Sequence, residues 1–230
     1  MLYNIHKILD LNSGICIYLI IYIILFKICK LFIKQPIEIF KLIGELFGLT
    51  NVIIFLIYST FEFIQTYDYN FRFTFMQLFL SYYIVDLIYV IFDFILTNNY
   101  MSIIYIIHHL LVLFIMYFVI YKTKCNNTTT YIILCIELSN LFKYFYIFSS
   151  MYFNNKNNIC NLITLIIWTI VFIILRLIVI PIISGKIYYK DIPDEITNQK
   201  YGIIILLLLI ITQILSMIWS YKLIQKIQRF

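Results

Sequence analysis

Residues 101–121, MSIIYIIHHLLVLFIMYFVIY, combine the length of a membrane span with a polar pair at the centre. The stretch has no acidic or basic residue, and a helix needs about 20 apolar residues to cross about 30 Å of hydrocarbon. His108 and His109 lie near its middle, where an imidazole ring must face protein or trapped water rather than lipid chains. We therefore expect a transmembrane helix around which other helices supply partners for both histidines.

The rest of the composition is that of an integral membrane protein. Of the 230 residues, 63% are hydrophobic and 12% are charged, whereas about 25% of residues are charged in a typical soluble domain. The net charge of +6 is typical of lysines at helix ends and does not indicate nucleic-acid binding. The five cysteines lack CxxC spacing and are interpreted as small apolar residues. The chain is therefore predicted to be all-α, a multi-pass transmembrane helix bundle.

The apolar stretches predict about seven spans, at residues 15–33, 42–64, 74–96, 101–121, 130–153, 162–184 and 202–224. Pro36 is expected to end the first span, and Pro181 to kink or end the sixth. Gly44 and Gly48 have the small-xxx-small spacing that permits close helix packing. The connection at residues 97–100 is so short that the third and fourth spans should be antiparallel neighbours. Whether the first span joins the bundle is left open.

Polar residues form a stripe along the third span. Tyr82, Asp86, Tyr89 and Asp93 are separated by four, three and four residues, which places them on one face of a helix.

Ionisable residues also fall near the midpoints of several spans: Asp86, His108, His109, Glu137 and Arg176. A lone Asp or Arg at that depth costs about 2.5–3.5 kcal/mol, so residues on different helices at one depth are best explained by mutual contact in a shared cavity. Taken singly, each also fits a structural role, such as an Asp86–Arg176 ion pair that fixes the register of two helices.

Several kinds of chemistry fit such a cavity. A metal site is not expected, because adjacent histidines project about 100° apart on a helix and the chain has only three histidines. The sequence has no Gly-rich phosphate-binding loop. An ion or proton path would use these side chains, although the internal repeats of many transporters are missing from the sequence. Acyl transfer is the other option, since histidine acts as a general base or nucleophile toward acyl thioesters.

The ordered polar residues resemble those of the TLC domain, a membrane domain shared by ceramide synthases, translocating-chain-associated proteins and small TLC-domain proteins. The likeness covers about residues 44–226 and rests on five short patterns: Tyr82-x3-Asp86, His108-His109, Glu137-x-Ser139, Arg176-x4-Pro181 and Gln213-x5-Trp219. It implies a six-helix core around a lipid-accessible central cavity. The chain then divides into residues 1–41 with the first helix, a TLC-like domain at 42–226 and a basic tail at 227–230.

The resemblance also implies a site. In ceramide synthases the paired histidines catalyse N-acylation of a sphingoid base by a fatty acyl-CoA, and His108 and His109 match that pair. The polar cavity set beside them comprises Tyr82, Asp86, Glu137, Ser139, Asn140, Arg176 and Gln213. Half of the synthase acidic and histidine groups are missing, because residues 136–140, IELSN, replace a His-Asp-x-x-Asp set, and Val119-Ile120 replaces Ser-Tyr. The chain is therefore more similar to the small TLC-domain proteins.

Two functions follow from the resemblance as expectations. The first is a non-catalytic protein of the endoplasmic reticulum or a related endomembrane, which binds membrane lipids in its cavity and acts in lipid homeostasis, transport or sensing. The second is a sphingoid-base N-acyltransferase, for which acyl-CoA is a co-substrate. Neither function requires a metal, another cofactor or nucleic acid, and both are compatible with a homo-oligomer.

Overall fold

The computed structural model describes residues 11–33, 36–64, 69–98, 100–122, 127–153, 158–186 and 199–230. Every regular element in these ranges is a helix. The chain forms two compact units, unit 1 (Met1–Cys125) and unit 2 (Asn126–Phe230). The all-α class predicted from the composition is confirmed.

Helices of membrane-spanning length recur through the described chain. Six of them are long and apolar enough to cross a membrane: Leu11–Leu31, Ile39–Ser59, Phe73–Thr97, Tyr131–Tyr152, Ile159–Gly185 and Leu207–Gln228. The histidine helix adds a shorter apolar stretch, Ser102–Tyr117, within a helix of 23 residues. Each stretch coincides with a predicted span, and the multi-pass helical bundle is confirmed.

Unit 1 contains four helices: α1 (Leu11–Phe32), α2 (Pro36–Ile64), α3 (Tyr69–Thr97) and α4 (Tyr100–Lys122). The first helix ends before Pro36, as predicted. Pro36 then begins α2, where a proline is tolerated because the first N–H groups of a helix have no intrahelical acceptor.

Helix α3 is the centre of unit 1, because it packs against α1, α2 and α4. Aromatic rings fill the space between α2 and α3. The Tyr58 and Phe75 rings are parallel with centroids 3.4 Å apart, and the Phe79 ring lies 5.0 Å from that of Phe55. This packing fixes the face that α3 presents to each neighbour.

Helix α1 is part of this unit, which answers the question that the sequence leaves open. Gly14 lies against Ser81 of α3, where a Cβ atom would collide with the serine side chain. The Ser81 hydroxyl lies 3.1 Å from the Leu11 carbonyl oxygen, and the Tyr18 hydroxyl donates to Asn51 Oδ1 of α2 at 3.0 Å. These contacts hold α1 on both α2 and α3.

A glycine also allows α2 to approach α3. A Cβ atom at Gly44 would overlap the Tyr89 ring, so the predicted close approach does occur at this position. The Tyr89 hydroxyl donates to the Phe40 carbonyl oxygen at 3.2 Å, and the two rings stack at 4.6 Å.

The end of α3 is set by Asn98. This residue has a φ of 52°, the left-handed conformation that asparagine tolerates better than most residues, and its N–H donates to the Phe94 carbonyl oxygen at 2.8 Å. The chain enters α4 within two residues, which makes α3 and α4 closely packed antiparallel neighbours, as predicted.

Unit 2 is built from α5 (Asn127–Phe153), α6 (Ile159–Phe172), a π-helical segment (Ile173–Val179), α7 (Ile180–Lys186) and α8 (Gln199–Gln228). Asn158 caps α6, because its side-chain oxygen accepts from the Cys160 N–H at 2.8 Å. The core of the unit contains buried Tyr146, Leu165, Phe172 and Leu223.

The sequence predicts that the sixth span kinks or ends at Pro181, and the second alternative is wrong, because the span does not end there. The helix continues through α7 to Lys186, and the irregularity lies in the π segment just before the proline. A proline lacks the N–H of a regular helix, and its ring crowds the carbonyl four residues earlier. The wider π turn accommodates this ring, and the Ile180 N–H accordingly bonds the Leu175 carbonyl oxygen, five residues back.

Candidate functional site

The clearest polar contact in unit 1 joins α3 to α4. His109 Nε2 lies 2.6 Å from Asp86 Oδ2, and its Nδ1 lies 2.7 Å from the Tyr105 carbonyl oxygen. The imidazole is 7% exposed. The Tyr82 hydroxyl donates to the same Asp86 oxygen at 3.2 Å. The structure therefore brings together three of the predicted site residues.

The acceptors around His109 decide where its protons lie. A carbonyl oxygen only accepts, so Nδ1 must carry a hydrogen for the bond to Tyr105. A second hydrogen must then lie between Nε2 and Asp86, whether it belongs to the imidazolium or to the carboxylic acid. Both ring nitrogens of His109 are consequently engaged, and the pair shares one proton.

Aromatic rings enclose this pair. The Tyr82 ring stacks on Phe47 of α2 at 5.3 Å and meets the Tyr18 ring of α1 edge-on at 5.6 Å. The Tyr83 ring lies 5.5 Å from the His109 ring. Such surroundings strengthen the hydrogen bonds at Asp86, because little water competes for its oxygen atoms.

The predicted stripe on α3 is divided among its three neighbours. Tyr89 bonds α2 through the Phe40 carbonyl, as described above. Asp93 Oδ2 accepts from the Ser102 hydroxyl of α4 at 2.8 Å. The side chains of the stripe therefore hydrogen-bond α3 to neighbouring helices of unit 1.

His108 takes a different position from His109. It is half-buried, and its ring stands edge-on to the His109 ring, with centroids 5.6 Å apart and planes at 89°. The adjacent histidines thus project in different directions, as expected for neighbours on a helix.

A second polar cluster lies within unit 2 and is centred on Arg176 of the π segment. The Arg176 side chain is 5% exposed. Its Nε donates to Ser139 Oγ at 2.8 Å, and one Nη donates to Asn140 Oδ1 at 2.9 Å. The guanidinium also lies 4.7 Å from the centroid of the Phe172 ring, which is a cation–π contact.

Asn140 links this arginine to a buried carboxylate. Its Nδ2 donates to Glu137 Oε2 at 3.4 Å while its oxygen accepts from Arg176. Glu137 is 2% exposed. The Arg176 guanidinium, the Glu137 carboxyl group and the amide between them therefore occupy one compact cluster on α5 and the π segment.

The predicted site residues are thus found in two groups. Tyr82, Asp86, His108 and His109 belong to unit 1, whereas Glu137, Ser139, Asn140, Arg176 and Gln213 belong to unit 2. A single cavity that contains both groups stays a prediction. Among the residues that the structure describes, no three His, Cys, Asp or Glu side chains are grouped as metal ligands.

Sequence reasoning missed Tyr18 and Asn51 as neighbours of the site. Both are 1% exposed and bonded to one another beneath the Tyr82 ring. The available signal was a polar side chain within an apolar stretch on each of two helices. It was not decisive, because the chain has 21 tyrosines, so one more in an apolar stretch carries little information.

These features define a multi-pass helical membrane protein with buried ionisable clusters inside its spans. The family model described as the TLC domain matches residues 37–225. The chain belongs to the TLC domain family, as the resemblance predicted. No curated protein and no solved structure matches the chain.

Proposed function

We propose that this TLC-domain protein binds membrane lipids in a polar intramembrane site and acts in lipid homeostasis, transport or sensing without catalysing acyl transfer at His109. The observation that carries the proposal is the engagement of both His109 nitrogens, by Asp86 and by the Tyr105 carbonyl.

A general base needs an accessible lone pair on one ring nitrogen. In a catalytic triad, the carboxylate holds one nitrogen of the histidine and the other faces the reacting group. In this protein Nε2 of His109 is hydrogen-bonded to the Asp86 carboxylate, and Nδ1 donates to the Tyr105 carbonyl oxygen. Catalysis by His109 would require one of these bonds to break, which supports a role in positioning α4 rather than in chemistry.

The alternative function is a sphingoid-base N-acyltransferase with acyl-CoA as co-substrate. The observation that favours it is the half-buried His108 ring beside the Asp86–His109 pair, whose ring centroid lies 5.6 Å away and whose shared proton places a polar group next to His108. In this alternative His108 is the base or nucleophile and His109 orients it.

The deciding experiment compares lipid binding with acyl transfer in purified full-length protein. Lipids extracted from the protein are identified by mass spectrometry and compared with those of the surrounding membrane. We expect selective enrichment of one lipid class and no consumption of labelled acyl-CoA with a long-chain amine. His108→Ala should retain the enriched lipid.

Acyl transfer that disappears in His108→Ala would instead establish the enzyme. A lipid content identical to that of the surrounding membrane, together with unchanged lipid composition in cells that lack the protein, would contradict lipid handling. We further propose residence in the endoplasmic reticulum or a related endomembrane, which fluorescence co-localisation tests directly.

A further inference from the structure

Gln213 on α8 has a buried acceptor atom for which the described part of the chain supplies no donor. Its Oε1 is inaccessible to solvent, and none of the described residues donates a hydrogen bond to it. A buried amide oxygen that lacks a donor is destabilising, because unfolded or hydrated states would satisfy it. A group of this kind calls for a specific explanation.

The neighbouring hydroxyls on the same face of α8 do not supply the donor. Ser216 and Ser220 lie three and seven residues after Gln213, and both are 5% exposed. Their hydroxyls donate to the Thr212 and Ser216 carbonyl oxygens, each at 2.9 Å. A serine has only one O–H hydrogen, so neither can serve Gln213 as well.

Gln213 lies at the depth of the Arg176 cluster. The Trp219 and Phe172 rings are neighbours, with centroids 6.5 Å apart, so these positions of α8 and α6 lie at similar heights. Gln213 is six residues, or about 9 Å, before Trp219, and Arg176 is four residues, at most about 6 Å, after Phe172, because the π segment rises less per residue than an α-helix. Because successive spans run in opposite directions, the two positions differ in height by about 3–5 Å.

This depth restricts the chemistry of a ligand. Arg176 is nine residues, or about 14 Å, from the end of the apolar stretch Ile159–Gly185. A charged headgroup would have to leave the membrane surface to reach this level, which is highly unfavourable. A hydroxyl or amide N–H on a neutral lipid can reach it and can donate to an amide oxygen.

We propose that Gln213 accepts a hydrogen bond from the hydroxyl or amide N–H of a neutral lipid bound in unit 2. This inference rests on the proposed function and names the class of lipid and one group that recognises it. The Arg176 guanidinium donates to Ser139 and Asn140 of α5 and supplies further polar groups at a similar depth in the span.

The experiment measures binding of two lipids with identical acyl chains to the full-length protein in nanodiscs. Diacylglycerol has one free hydroxyl, whereas phosphatidylcholine has no hydrogen-bond donor. Gln213→Met removes the acceptor at nearly constant length. Gln225→Met makes the same change at another half-buried position of α8 and is the matched control.

We expect wild-type protein and Gln225→Met to prefer diacylglycerol. Gln213→Met should weaken diacylglycerol binding about five- to tenfold, the effect of losing one neutral hydrogen bond, and leave phosphatidylcholine binding unchanged. Equal affinity of the wild-type protein for the two lipids, or unchanged diacylglycerol binding by Gln213→Met, would overturn the role of Gln213 while leaving lipid handling intact. Absence of binding to both lipids would contradict the proposed function itself.

A second measurement covers the case in which Gln213→Met does not fold. A diacylglycerol with a photoreactive group on its glycerol is cross-linked to wild-type protein, and the labelled peptide is identified by mass spectrometry. Labelling within residues 207–222 of α8 or within the π segment supports the site. Labelling confined to unit 1 refutes it.

Discussion

Replacing Asp86 tests whether its contact with His109 fastens α3 to α4. A charge-assisted hydrogen bond contributes about 1.5–3 kcal/mol, whereas neutral bonds between membrane helices average about 0.6 kcal/mol. Asp86→Leu removes the 2.6 Å bond to His109 and the 3.2 Å bond from Tyr82. We expect it to lower the free energy of unfolding by about 2–3 kcal/mol. Asp86→Asn keeps a neutral bond and should lower it by about 1 kcal/mol.

Unfolding can be followed in detergent through a buried thiol of the same unit. Cys29 is 3% exposed, so it reacts with a thiol-specific dye only when unit 1 opens. The other four cysteines (Cys16, Cys125, Cys135 and Cys160) are replaced by serine in every variant, so that Cys29 is the remaining thiol. The control is Asp93→Asn on the same helix, whose partner is a serine hydroxyl rather than an imidazole, and which should cost less than about 1 kcal/mol.

The proton arrangement has its own spectroscopic signature. The chain has only three histidines, so 15N labelling of histidine gives six ring-nitrogen signals. Neither nitrogen of His109 should give the signal of an unprotonated, unbonded ring nitrogen in the wild-type protein. One should do so in Asp86→Leu. An Asp86→Leu variant as stable as wild type, or a free ring nitrogen on wild-type His109, would refute the argument.

Three further variants test the packing of each unit. Gly44→Val places methyl groups within the Tyr89 ring and should lower the free energy of unfolding of unit 1, followed by Cys29 labelling, by about 1–3 kcal/mol. Gly185→Ala, with open space at its Cβ position, should leave the stability of unit 2 unchanged, as followed by tryptophan fluorescence. Arg176→Lys keeps the charge but loses the planar fork that bonds α5, and should destabilise unit 2 by about 1–3 kcal/mol, measured by tryptophan fluorescence. Pro181→Ala should let the π segment return to an α-helix and rotate Arg176 relative to α5; a higher unfolding temperature would contradict this.

The helices of this fold could be predicted because hydrocarbon imposes their length. Each predicted span overlaps a helix, since an unpaired backbone group in lipid costs too much for any other local structure. The π segment could not be predicted in this way. It depends on how the Pro181 ring is accommodated and on the attraction of Arg176 for α5, and the second of these is a tertiary contact. The packing of α1 on Ser81 likewise depends on a neighbour that a linear pattern does not reveal.

The candidate site was predictable in its residues and less so in its pairing. The helical spacing placed Tyr82, Asp86, Tyr89 and Asp93 on one face, but three different helices contact that face. Periodicity identifies a polar face and gives no information about which neighbour meets each position along it. Sequence alone allowed either His108 or His109 as the reacting base. The rotation of about 100° between them places His109 against Asp86 and leaves His108 half-buried beside it.

Buried polar groups within spans can serve packing or ligand binding, and their hydrogen bonds help to distinguish the two. Asp86 is hydrogen-bonded to His109 and Asp93 to Ser102, so each aspartate joins α3 to α4 without a ligand. The Gln213 amide oxygen is buried at comparable cost, yet the described chain offers it no donor. An unmet acceptor lowers stability, and a bound molecule with a donor group would compensate for it. For this reason the lipid site is better sought at Gln213 and the Arg176 cluster than at the Asp86–His109 pair.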